Sequence, residues 1–143
     1  MTDSRPISDQ DVSGWMEETA GKDAGSLIAA IISATATYDH IVDGDKFNAG
    51  EVHQMVRDFL VTIPQNRVWS AAPVVFQTIF FNAVSSWIHA ESENSYRIKV
   101  SDVLSETGCA ILQAKGGLGL LLEKGSEWRR LCGDLLTSSD ERN

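Results

Sequence analysis

Apolar residues recur at intervals of three and four along most of this chain, which predicts helices joined by short polar breaks. Ser8 can cap a first short helix, with Asp9 and Asp11 in its opening turn, where the helix dipole favours anions. Trp15 and Met16 form its apolar face and Gly21 stops it. A second helix is predicted from Ala24 to Val42, on the stripe Leu27, Ile28, Ile31, Ile32, Thr35 and Tyr38, and Asp43-Gly44 breaks it. Asn48, three residues before Glu51, reads as an N-cap with a capping-box partner. The amphipathic run Val52, Met55, Val56, Phe59 and Leu60 follows, and Pro64 ends it by pushing Ile63 out of helical geometry.

Another helix is predicted from about Ser70 to about Ala90, with Pro73 in its first turn. It is apolar around most of its circumference, which puts it in the middle of a bundle, with Phe80 and Trp87 in the core. Glu91 to Ser95 reads as a loop and Tyr96 to Val100 as an extended link. Ser101-Asp102 opens a helix to about Ala114, which Gly116, Gly117 and Gly119 break; Leu118 to Leu122 then form a short helix or turn. Ser126 caps a last helix with Trp128, Leu131, Cys132, Leu135 and Leu136 on its inner face. Residues 1–6 and 137–143 are expected to fray. The pattern predicts one all-α domain over residues 1–143, a bundle of six to seven helices with its core at about 8–136.

The formal net charge of −8 argues against a nucleic-acid binder, because phosphate contacts need clustered Lys and Arg. The densest basic spot, Arg129-Arg130, is two residues on a helix. An acidic surface suits solubility, cation attraction or a basic protein partner. Residues 1–23 lack the apolar segment of a secretory signal, and the run Val74 to Ile88 is too short and too polar for a membrane span. Cys109 and Cys132 lack metal-type spacing and fall on apolar helical positions. They read as buried free thiols in a reducing, cytoplasmic compartment.

Candidate chemistry concentrates between Tyr38 and Glu51. Hard cations such as calcium need several oxygen ligands on a flexible turn. Read as an EF-hand, Asp43-Gly44-Asp45 fills the third to fifth positions, but Ile41 then stands first and Glu51 falls one residue short of the twelfth. A non-standard divalent-cation site of Asp39, Asp43, Asp45 and Glu51 is the functional reading; the plain alternative is a turn at Asp43-Gly44 and a capping box at Glu51. His40 and His53 flank the segment without the paired spacing of a zinc site. Thr78, Asn82, Ser85 and His89 share one helix face at spacings of four, three and four, and form either a pocket wall or the wet side of the helix. Lys115-Gly116-Gly117-Leu118-Gly119 lacks a phosphate-loop signature, and no nucleophile–base arrangement stands out, so no enzyme is expected.

The order apolar helix, Asp43-Gly44, polar stretch, then Glu51-Val52-His53-Gln54-Met55-Val56-Arg57-Asp58-Phe59-Leu60 resembles the TerB-like (tellurite resistance) family, and Val68-Trp69 through Trp87 looks like its central helix. The resemblance covers roughly residues 24–136. It implies two helical half-repeats and a divalent cation, calcium first, at the acidic turn. Ile111 to Gly117 with Glu123 looks like a degenerate second copy without the Asp. The family reading implies a non-enzymatic cytoplasmic protein acting in stress or tellurite resistance through protein partners. Gly50-Glu51-Val52 through Leu60, with Pro64, Arg67 and Ser70-Ala71-Ala72, is also similar to the helical immunity proteins that neutralise type VI secretion amidases. That second resemblance implies a protein-binding immunity or inhibitor module with an acidic surface. Self-association is left open by both.

Overall fold

The computed structural model describes residues 7–91 and 96–142, with side-chain surroundings for 7–85 and 103–135. Every described element is helical: α1 (Asp9–Ala20), α2 (Lys22–Asp43), α3 (Ala49–Arg57), a π-helical turn (Asp58–Thr62), α4 (Ile63–Gln65), α5 (Arg67–Ala71), α6 (Pro73–Glu91) and α7 (Tyr96–Arg142). No strand occurs among the described residues.

Local chemistry sets most of the helix ends. The Ser8 side chain accepts from the Asp11 amide at 3.2 Å while the Ser8 amide donates to the Asp11 carboxylate at 2.9 Å, a reciprocal capping box. Gly21, at φ 102°, ends α1 and starts α2 in a single residue. Gly44, at φ 76°, closes α2: its amide donates to the Ile41 carbonyl and the Asp45 amide to that of His40, the paired bonds of a Schellman stop.

α2 is the helix around which the others gather. Leu27, Ile28 and Ile31 are fully buried, and α1, α3, the π turn, α4, α5 and α7 all contact it. Among the described residues α2 alone combines the length and apolarity of a membrane span, and half of its most apolar window is covered by neighbouring helices. Expected at the centre, α6 instead lies to one side. It buries Phe76, Phe80 and Ala83, spaced by four and three, and leaves Val74, Val75 and Phe81 more than half exposed. Its apolar outer face therefore does not mark a helix enclosed on all sides. Trp87 lies outside the residues whose side chains are described.

The chain also departs from expectation at Pro64. The helix continues through it to Gln65, because in the π turn the Ile63 amide bonds to the Asp58 carbonyl, five residues back. In a regular helix a proline ring at 64 would strike the Leu60 carbonyl. Leu60 sits inside the widened turn, and Ile63 keeps helical angles of φ −67° and ψ −52°. The stop comes at Asn66, whose side chain accepts from the Val68 and Trp69 amides to start α5 and donates to the Asp23 carbonyl at 2.8 Å.

Tyr96 to Val100, expected to be extended, is helical; a helix satisfies its backbone without the second strand that an extended segment would need. Only Gly117 among the three glycines breaks α7, at φ 69° and ψ −166°. The arms 96–116 and 118–142 fold back on each other, as the bond from Trp128 Nε1 to the Leu104 carbonyl at 3.1 Å requires. There is accordingly no separate short helix at Leu118 to Leu122 and no cap at Ser126. At Gly44 the chain leaves its helix for a loop, whereas at Gly117 it passes from helix to helix in one residue. The C-terminal stretch expected to fray is helical to Arg142, residues 1–6 lie outside the described residues, and so do 92–95 of the expected loop.

Candidate functional site

The four carboxylates proposed as cation ligands are placed very differently. Asp39 is buried on α2, at 5% exposure, while Asp43 and Asp45 are exposed at the helix end and in the loop after it. Glu51 is half-buried. Its amide donates to Asn48 Oδ1 at 2.9 Å and its Oε1 accepts from Asn48 Nδ2 at 3.1 Å, so Asn48 holds both ends of that residue. Glu51 Oε2 also lies 3.8 Å from His40 Nδ1. His53 is exposed on α3. No group of three or more His, Cys, Asp or Glu gathers as a metal site among the described residues. A shallow cleft of about 340 Å³ connects His40 and Glu51 to Asp9 and Ser13 of α1.

The polar stripe on α6 faces away from any deep pocket. Thr78 returns its hydroxyl to the Val74 carbonyl and Ser85 to that of Asn82, each at 2.8 Å, and all three side chains are exposed. His89 lies outside the residues whose side chains are described. On the adjacent face of the same helix, however, an open cavity of about 380 Å³ lies between α6, α5, the π turn and the C-terminal half of α2.

Its walls come from five elements. α2 contributes Thr35 and Tyr38, and the π turn contributes Phe59 and Leu60. Ile63 and Pro64 follow from α4, and Trp69 comes from α5. α6 closes the cavity with Gln77, Phe80, Phe81 and Val84. The rings brace one another: Trp69 stacks on Phe76 at 5.5 Å between centroids, and Phe80 meets Trp69, Phe59 and Phe81 edge-on at 6.2, 6.0 and 6.3 Å. Leu60 (72% exposed) and Phe81 (67%) stand at the mouth. No charged side chain lines the cavity among the described residues. The Thr35 hydroxyl donates to the Ile31 carbonyl at 2.7 Å; the other polar groups of the described lining are the Tyr38 phenol, the Trp69 indole and the exposed Gln77 amide. Behind the wall, the buried Asp58 accepts from Gln54 Nε2 at 2.9 Å and sits where the backbone widens.

The π turn places Phe59 and Leu60 in the wall of this cavity. One extra residue per turn rotates the following side chains around the helix axis, and π turns are frequent where helices are bent to a task. Leu60, three residues beyond the end of α3, fell on the amphipathic stripe and Phe76, Phe80 and Phe81 on the apolar helix, so the sequence marked them as core and not as the wall of a cavity.

Cys109 and Cys132 are free and buried in the α7 hairpin, as expected. Burial pushes the Cys132 thiol up to about 12 while a hydrogen bond with Ser105 pulls it down; burial also raises Cys109, against the nearby Arg129. Both thiols are protonated at neutral pH and poor nucleophiles. A thiol whose folded pKa exceeds its unfolded value favours the fold below the unfolded value, and that advantage is lost as pH rises toward the folded one. The melting temperature is therefore expected to fall between about pH 9 and 12. In Cys132→Ala that fall should be shallower; an equal fall would assign the alkaline loss to other groups.

No known family model, characterised protein or solved structure matches this chain significantly.

Proposed function

We propose that this protein works by binding rather than by chemistry, and that its binding site is the aromatic-walled cavity between α2, the π turn, α5 and α6. One observation carries the reading: an open cavity of about 380 Å³ whose walls are almost wholly apolar. Small-molecule sites span roughly 300–1,000 Å³ and combine apolar walls with a few polar groups. A pocket bordered by the exposed Leu60 and Phe81 leaves apolar area in water, and a ligand that covers it gains about 25 cal/mol for each Å² removed. Trp69 in the wall supplies an intrinsic reporter. Titration with a neutral apolar dye such as Nile red should quench or shift Trp69 emission and brighten the dye. In Val84→Trp, where the larger side chain fills the cavity from its half-buried rim, that response should be lost while the helical spectrum persists. Equal dye binding by the filled variant would sink the proposal.

A second reading is favoured by Val74, Val75 and Phe81 on the outer face of α6: a protein partner covers that face, in keeping with the immunity-protein resemblance. The TerB-like resemblance adds a divalent cation at Asp39, Asp43, Asp45 and Glu51, supported by the acidity of that segment. Excess calcium would then raise the melting temperature by several degrees, and Asp43→Asn/Asp45→Asn would abolish the rise. An unchanged melting temperature would reduce the segment to a Schellman stop and an Asn48 cap.

A further inference from the structure

Resting on the reading of the cavity as the binding site, we infer that its ligand is an uncharged, compact apolar molecule carrying one hydrogen-bonding group, which the Gln77 amide receives. The argument is electrostatic. An ion taken out of water without a partner loses far more than apolar contact returns, so sites for fatty-acid anions or organic cations hold a countercharge or expose the head to solvent. Among the described residues that line this cavity none is Lys, Arg, His, Asp or Glu, so a charged head finds no partner on them. The formal net charge of −8 further opposes an anion. The buried Asp58 accepts from Gln54 and is not among the described lining residues of the cavity.

The polar groups within reach narrow the ligand further. Thr35 turns its hydroxyl back to the Ile31 carbonyl, and its methyl adds to the apolar floor. Of the other polar side chains in the lining Trp69 is buried and Tyr38 half-buried, whereas Gln77, one residue from Phe76 and three from Phe80 on α6, is exposed, and its amide can either donate or accept. A hydroxyl or carbonyl at one end of the ligand meets that amide while the hydrocarbon end lies among Phe59, Trp69 and Phe80. The edge-to-face arrangement of those rings offers a fused or branched hydrocarbon aromatic surface to pack against.

The test uses one hydrocarbon with three heads: 2-naphthylmethanol, 2-naphthoate and 2-naphthylmethylammonium, each titrated calorimetrically into the full chain and into Val84→Trp. The alcohol should bind, the two ions should bind at least about tenfold more weakly, and the filled variant should bind none. Gln77→Leu should weaken the alcohol roughly three- to tenfold and leave unsubstituted naphthalene unchanged. If either ion binds as tightly as the alcohol, and does so in a way lost in Val84→Trp, the inference is overturned and the cavity remains a binding site. If Gln77→Leu weakens alcohol and naphthalene alike, the amide is no anchor and that part is overturned. If none of the compounds binds, the cavity reading itself falls, and a macromolecular partner on the outer face of α6 takes its place.

Discussion

Trp128→Ala is expected to lower the unfolding free energy by about 3–5 kcal/mol, a large share of the roughly 5–15 kcal/mol that holds a domain folded. Trp128 is fully buried and stands where three parts of the chain meet. Its Nε1–H donates to the Leu104 carbonyl at 3.1 Å and leans toward that of Ser105 at 3.3 Å, which locks the second arm of α7 onto the first. Its ring lies 5.6 Å from that of Trp15, whose own Nε1–H donates to Glu127 Oε1, so α1 closes over the same point. The nearby Arg129–Glu106 pair, at 3.1 Å, is exposed on both sides and contributes little by comparison. Removing the indole leaves a cavity bounded by two helices that Gly117 alone joins, and neither can move inward without breaking the turn. Urea unfolding followed by circular dichroism measures the loss through the midpoint at constant slope. A loss below roughly 1 kcal/mol would mean that the hairpin does not close on Trp128.

The helix ends that a few neighbouring residues determine were legible in the sequence. Ser8 with Asp11, Gly21, Gly44 and Asn48 each act within four residues, and their side chains or φ angles do what their types imply. What was not legible depends on residues far apart in sequence. The passage through Pro64 needs a π turn, which periodicity does not announce, and the stop at Asn66 is strengthened by a bond to Asp23, 43 residues earlier. Gly119 was expected as a break, yet it sits with Gly125 in the continuous second arm of α7. Each costs about 1 kcal/mol against alanine in an exposed helix, and the buried Trp128, Cys132 and Leu135 on the same arm offset that cost.

The candidate site was legible only in fragments. An acidic stretch is conspicuous because its chemistry is written in residue types, but converging ligands depend on which way each residue faces. Asp39 faces inward from α2 and Asp45 lies in the loop beyond Gly44, two positions that no spacing rule distinguishes from ligands. The aromatic cavity is the reverse case. Its residues look like ordinary core in the sequence, and the sideways position of α6 turns a largely apolar helix into a wall with one side open. The polar stripe Thr78, Asn82 and Ser85 was sought on α6, whereas the cavity uses Gln77, Phe80, Phe81 and Val84 of the same helix.

Gly108→Ala tests the same hairpin from its other side, and its expected sign is opposite to the helix-propensity rule. In a free helix the change gains about 1 kcal/mol. Here a methyl group on residue 108 would overlap Nε1, Cε2 and Cζ2 of Trp128, a rigid ring that has nowhere to go. Overpacking of this kind typically costs about 1–3 kcal/mol and shifts backbone, so the hairpin arms must part and the Trp128–Leu104 bond must lengthen. The three overlapping atoms belong to the part of the indole that a smaller ring would vacate. Trp128→Phe should therefore relieve the clash, and the double variant Gly108→Ala/Trp128→Phe should be more stable than the sum of its single changes implies. An interaction energy of about 1 kcal/mol or more in that cycle marks direct contact. Additive losses would mean that glycine at 108 serves the backbone and not the indole, which its ordinary helical φ argues against.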